Sequence, residues 1–227
     1  TTTPTLYVES GNLPAGTYTS FIDCAGKGTL DYGGTGTYSI FLPGFTSIPY
    51  LYLSGTGTRI LPNTNLTICQ RLKIDGPTLD NSSNNKKLTI LGTMERYNTG
   101  AFNSGSGAGA IVSFAGSTAQ TLGGTLGDFT GTNGFNHFEI NNTAGLTIGN
   151  NTTIEIKGNL LLTNGIITTT STNMLSVVNT STSAVIPTGG TSTSYVNGPM
   201  TKQFLNGNSF LYPIGKLAVG KGHDCTI

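Results

Sequence analysis

Apolar residues in this chain come in short alternating bursts. From Leu146 the sequence reads LTIGNNTTIEIKGNLLLTNGIIT, where Leu146/Ile148, Ile154/Ile156 and Leu160/Leu162 alternate with other residues and are separated by Gly-Asn-Asn and Gly-Asn, with Asn-Gly closing the run. The same pattern recurs at Leu6-Tyr7-Val8, Tyr50-Leu51-Tyr52-Leu53, Leu66-Thr67-Ile68, Leu88-Thr89-Ile90 and Phe138-Glu139-Ile140. A period of two is the signature of a strand with one buried face. The Gly, Asn and Asp residues between bursts tolerate positive φ or form Asx turns, and so predict bends. Helices are not expected. The longest stretch free of Gly and Pro, Ile166 to Ile186, is filled with Thr, Ser, Asn and β-branched residues, which lose side-chain freedom in a helix or bond their own backbone.

Two all-β architectures compete for this pattern: an antiparallel β-sandwich with strands joined by hairpins, and a right-handed parallel β-helix with shorter strands joined by bends. The steps from Ile148 to Ile154, Ile154 to Leu160 and Leu160 to Ile166 are each six residues. That is too short for long strands plus reversing loops, and it favours the β-helix, with the sandwich as the alternative. Coils of roughly 20 to 30 residues would give on the order of nine coils and, at ~4.8 Å per coil, a rod about 40 Å long.

The chain also echoes itself. Ile60, Leu66, Ile68, Leu72 and Ile74 match Ile148, Ile154, Ile156, Leu160 and Leu162 at a separation of 88, and LDYGGTGT from Leu30 echoes VSFAGSTA from Val112 at 82. Repetition of hydrophobic spacing rather than identity fits a solenoid whose core positions are fixed and whose outer positions are free. On this reading residues 1–194 form a β-helical repeat region with two related segments, about 30–90 and 112–177. Residues 195–227 are then an end-cap or the start of a further, incomplete module. Thr5 to Thr19 is a candidate cap for the other end, because an open coil is an unpaired sheet edge.

Composition narrows the partners. With 11 basic and 10 acidic residues among 227, and only 9% charged residues overall, the chain has no electrostatic footprint for nucleic acid or an anionic membrane. No apolar run approaches the ~20 residues needed to span a bilayer. The opening TTTPT, without Met or a signal segment, reads as a mature or excised piece. The three cysteines, Cys24, Cys69 and Cys225, have no metal-ligand spacing beyond His223 two residues before Cys225, so neither a metal nor a cofactor is expected. A disulfide is expected if the protein is secreted. The sequence alone does not choose the pair; Cys24 with Cys69 is the candidate, leaving one cysteine over.

One resemblance emerges from the order of motifs. AIVSFAGSTAQTL (Ala110 to Leu122), FNHFEINNTAGLTIGNNTTIEIKGNLLLTNGIITT (Phe135 to Thr169), NMLSVVN (Asn173 to Asn179), SYVNGPMTKQF (Ser194 to Phe204) and FLYPIGK (Phe210 to Lys216) together resemble a module of the large secreted surface proteins of Bacteroidota. Those proteins are commonly exported by the type IX secretion system through a C-terminal sorting domain, and no such domain is visible here. The resemblance implies a long, repetitive, adhesin-like polypeptide at the cell surface, of which this chain is one portion.

Several stretches are candidates for chemistry, each with a plainer reading beside it. A polysaccharide-degrading β-helix would need two carboxylates about 5 to 10 Å apart. No two acids stand at i, i+2, so Glu139 and Glu155, with His137 and Lys157 near them in sequence, are the candidates if adjacent coils bring them together. Solvated outer charges are the plainer reading. GGTLGDF from Gly123 echoes calcium-binding turns but occurs once, and DCAGKGT from Asp23 lacks the full phosphate-loop pattern. Threonine ladders suggest ice binding, but the Thr168-Thr169-Thr170 run is not a regular Thr-x-Thr. Tyr50 and Tyr52 share one strand face and are candidate glycan contacts, or else the inward pair, with Leu51 and Leu53 outward.

The expectation is therefore a non-catalytic structural or adhesive segment of a secreted, extracellular bacterial surface protein. Its expected partners are other surface or matrix components, glycans or copies of itself, with the type IX machinery implied by the resemblance. The alternative is a carbohydrate-binding or polysaccharide-degrading β-helix.

Overall fold

In the computed structural model the alternating bursts become the walls of a coil. The structure describes residues 3–125, 127–149, 152–205, 207–216, 221–222 and 225–226, the last few through their backbone alone. Strands Thr29–Tyr32, Ser47–Leu53 and Leu66–Asp75 lie side by side in parallel, with Leu30 beside Leu51 and Leu51 beside Leu72. Each circuit there takes 21 residues, the difference between successive numbers. The chain is a nearly all-β parallel solenoid of about nine turns.

From Thr29 onward the circuits visit three faces in turn. The first carries Thr5–Val8, Thr29–Tyr32, the second halves of Ser47–Leu53 and Leu66–Asp75, then Thr93–Tyr97, Gln120–Gly123, Leu146–Ile148, Ile167–Thr168, Val196–Asn197 and Ile214–Lys216. The second carries Tyr38–Ser39, Thr58–Ile60, Thr78–Asp80 and Ala101–Asn103 and, further on, Ile154–Ile156, Leu175–Val177 and Met200–Lys202. The third carries the first halves of Ser47–Leu53 and Leu66–Asp75, then Leu88–Ile90, Ile111–Phe114, His137–Asn141, Leu160–Asn164 and Val185–Ile186. Inward residues of neighbouring coils stack in columns, such as Leu66, Leu88, Val112, Phe138, Leu160 and Val185 on the third face, all essentially sealed from solvent. Burying each such side chain is worth roughly 1.5 to 3 kcal/mol.

Around the middle of the rod the circuits lengthen, from 22 residues between Leu72 and Met94 to 28 between Met94 and Leu122. Here phenylalanines join the core: Phe102, Phe114, Phe129, Phe135 and Phe138 are all 1% exposed or less. Phe129 and Phe135 stack with centroids 5.1 Å apart, and Phe135 meets Phe138 edge-on at 4.9 Å. Phe129 and Phe135 pair with Ile154 and Ile156, while the residues between them leave the wall as a loop containing the short 3-10 turn Gly131–Asn133.

Corners are built from glycine and amides. Gly34, Gly55 and Gly76 all have positive φ and sit on one another; a Cβ on Gly55 would come 2.0 Å from the Gly34 carbonyl oxygen. Only glycine fits there. At the corner between the third and first faces, Gln120 Nε2 donates to the carbonyls of Ile90 and Gly92, while its Oε1 accepts from the Gly116 N–H and from Asn142 Nδ2. Side-chain amides thus stitch coils together by satisfying backbone groups that would otherwise be buried unpaired.

The 88-residue echo does not run along a column. Leu66 lies on the third face and Ile154 on the second, Leu72 on the first and Leu160 on the third, Ile60 on the second and Ile148 on the first. The offset is consistently one face short of a whole number of circuits. Nor does the wall stop at residue 194: Val196 stands beside Ile167, Met200 beside Leu175 and Ile214 beside Val196. Among the described residues, antiparallel pairs appear only at this end, Gly215 with Gly222 and Tyr212 with Cys225.

At the other end, Thr5–Val8 is itself the outermost strand of the first face. The covering segment comes after it: Leu13, Tyr18 and Phe21 pack on the core and Ile22, in the single helical turn Thr19–Ile22, is fully buried. Cys24 and Cys69, with Cα atoms 5.5 Å apart, form a disulfide that ties this segment to the wall.

Candidate functional site: an outward platform on the first face

Outward side chains on the first face follow from strand parity. Leu51 and Leu53 are fully buried, so Tyr50 and Tyr52 point outward and are half-buried among their neighbours. The reading in which the tyrosines face inward is thereby excluded. In register, Tyr50 lies beside Thr29 and Arg71, and Tyr52 beside Asp31 and Lys73. The next coil adds Glu95 beside Lys73 and Tyr97 beside Asp75.

These groups bond to one another across the coils. Arg71 Nε donates to Glu95 Oε2 at 2.6 Å, Nη1 to the Tyr52 hydroxyl at 3.1 Å and Nη2 to the Tyr97 hydroxyl at 3.3 Å. Lys73 Nζ pairs with Asp75 at 2.6 Å and lies 5.6 Å from the Tyr52 ring centroid and 4.9 Å from that of Tyr97. Burial works against the Arg71 charge, but the Glu95 carboxylate more than offsets it and raises the guanidinium's pKa. The hydrogen bond from Lys73 holds the Asp75 carboxyl below its usual value. Two cations and two carboxylates are therefore paired within one flat surface that also presents tyrosine rings.

Sequence reasoning singled out Tyr50 and Tyr52 but missed Arg71, Lys73, Glu95 and Tyr97. Their signal is Arg71-x-Lys73-x-Asp75 followed by Glu95-x-Tyr97, outward residues at period two, one coil apart. The coil length was needed to place them together.

The hydrolase candidates do not meet. Glu139 lies on the third face, where Oε2 accepts from Lys87 Nζ at 2.6 Å and Oε1 from the Thr163 hydroxyl. Glu155 lies on the second face and accepts from the Gly131 N–H. His137 Nδ1 accepts from the Asn159 N–H at 3.0 Å, and Lys157 flanks a cleft of about 420 Å³ lined by Thr78, Asn103 and Asn133. Burial lowers the pKa of both His137 and Lys157.

The other candidate motifs have local roles. Asp128 caps the Thr153 N–H, and its carbonyl accepts from Arg96 Nη1. Asp23 accepts from Gly26, and a strand rather than a helix follows at Thr29–Tyr32. Thr168 lines up outward with Thr147 and Thr121, but Thr169 is buried and donates to the Pro199 carbonyl, so the threonines form one column. The side chain of Cys225 and the whole of His223 lie outside the described residues. Among the described residues no group of three or more His, Cys, Asp or Glu could hold a metal, and no helix is long and apolar enough to cross a membrane.

Compared with protein families, curated proteins and solved structures, the chain has no match.

Proposed function

We propose that this chain is a structural or adhesive segment of a secreted bacterial cell-surface protein and works by contact rather than catalysis. One observation carries the reading. Every acidic side chain among the described residues, from Glu9 to Glu155, accepts a hydrogen bond from within the chain. One such bond leaves lone pairs for other contacts, but a hydrolytic pair needs two carboxylates facing one cleft, whereas Glu139 and Glu155 stand on different faces and the carboxylates serve turns, corners and coil-to-coil bridges. The stacked core supports a stiff rod that holds its outer surface in fixed register.

In this proposal the partners are other surface or matrix components, glycans or further copies of the chain, reached by export through the type IX machinery that the motif order of Ala110 to Lys216 suggests. Antibodies against the chain, viewed by immuno-electron microscopy on the intact source bacterium, test it. Label outside the cell envelope, on fibres or a surface layer, is expected; label confined to the cell interior would overturn the proposal.

A further inference from the structure

We infer that the platform on the first face binds a neutral, extended polysaccharide, with Tyr52 and Tyr97 stacking on sugar rings. The inference rests on the adhesive reading above and names its ligand. Tyrosine presents a flat apolar ring with a polar tip, which suits the C–H face and hydroxyl rim of a pyranose. Both rings are only half-buried and are held in place, because their hydroxyls accept from the same Arg71 guanidinium and Lys73 lies between them. Ordering them on binding therefore costs little entropy. They lie on coils two apart, so roughly 10 Å separates their strands, which matches alternate rather than adjacent sugars of an extended chain.

Charge pairing selects a neutral ligand. Arg71 is committed to Glu95 and Lys73 to Asp75. An anionic polymer would find no unpaired cation in this cluster and two carboxylates beside it. The remaining lone pairs of Glu95 and Asp75 can accept from sugar hydroxyls.

Two rings on different coils select a polymer. A chain stacking on both runs mainly along the rod, over the Arg71–Glu95 and Lys73–Asp75 pairs between them. The rims flank that path: on one side the glycine stack Gly34, Gly55 and Gly76, with the exposed Asn98 and Thr99 beside Tyr97, and on the other a shallow trough of about 520 Å³ past Gln70, Gly92, Gly116 and Ser117.

The test is co-sedimentation of the full 227-residue chain with insoluble cellulose, chitin and β-1,3-glucan, and with calcium alginate as the anionic comparison. Saturable retention on at least one neutral polymer is expected. Tyr52→Ala and Tyr97→Ala should each weaken it about 3- to 10-fold, the worth of one aromatic contact. Thr147→Ala, outward on the same face but off the platform, should leave it unchanged. Tyr97→Phe keeps the ring, so it should retain binding and would separate ring loss from misfolding, with circular dichroism checking each variant. No retention on any neutral polymer, tighter retention on alginate, or tyrosine variants indistinguishable from wild type would overturn the inference. None of these outcomes would alter where antibodies label the cell.

Discussion

Arg59 and Tyr32 lie 27 residues apart and are joined across one coil by a 3.0 Å hydrogen bond from the guanidinium Nε to the tyrosine carbonyl. The rest of the guanidinium donates to the carbonyls of Gly33, Gly34, Gly36 and Ser54 and lies over the Tyr38 ring at 4.4 Å, with the whole residue sealed from solvent. A buried arginine thus closes the corner that glycines leave without side chains. Arg59→Leu fills much of the space but leaves these carbonyls without their donor, and each unsatisfied buried group costs about 1–3 kcal/mol. A loss of roughly 3 kcal/mol or more in chemical denaturation is expected, and Arg59→Lys should recover only part of it because an ammonium cannot reach the same spread of acceptors.

Two glycines of nearly equal φ separate backbone strain from crowding. Gly44 and Gly55 have φ of 77° and 78°, but a Cβ on Gly44 meets nothing within 4 Å, whereas on Gly55 it would strike the Gly34 carbonyl. Gly44→Ala should cost only the left-handed penalty of about 1 kcal/mol. Gly55→Ala should cost distinctly more, because one coil must move off the next. Equal thermal midpoints for the two variants would contradict this packing.

The strands were legible from period two, and the six-residue steps pointed to a coil. Which faces the strands occupied was not. The three faces of a coil carry similar apolar doublets, so Leu66 matches Ile154 in pattern although the residues sit on different faces. Inward parity also failed at Thr58-Arg59-Ile60, where hydrophobicity favours Ile60 inward but the carbonyls of the glycine corner draw Arg59 in instead. The platform escaped for a related reason: Arg71 and Glu95 are 24 residues apart, and only the circuit length makes them neighbours.

The disulfide should anchor one end of the rod. Cys24 and Cys69 enclose a separation of 45 residues, and such a link contributes typically 2–4 kcal/mol by restricting the unfolded chain. Replacing both by Ser should lower the denaturation midpoint. It should also expose the segment around Leu13 to Ile22 to proteolysis before the strands beyond Leu88, because the coils contact only their neighbours.

Acid should loosen the third face in two stages. Burial lowers the pKa of His137, which accepts a hydrogen bond through Nδ1 in its neutral form. Its contribution is therefore complete above about pH 6.5 and fades as pH falls toward its folded value. Glu139 is pushed up by burial, but hydrogen bonds, chiefly from Lys87, carry it net below its usual value. Its contribution is lost only at lower pH, as pH drops through that depressed value. Denaturation midpoints should fall across both windows, and His137→Asn should remove the first stage while leaving the second.

The first-face platform should bind without turning anything over. Incubating the full chain with the neutral polysaccharides while following bound protein and newly formed reducing ends tests this most directly. Bound protein with no rise in reducing ends over time is the expected result. A time-dependent release of reducing ends that disappears in Glu139→Gln or Glu155→Gln would make the chain a hydrolase instead.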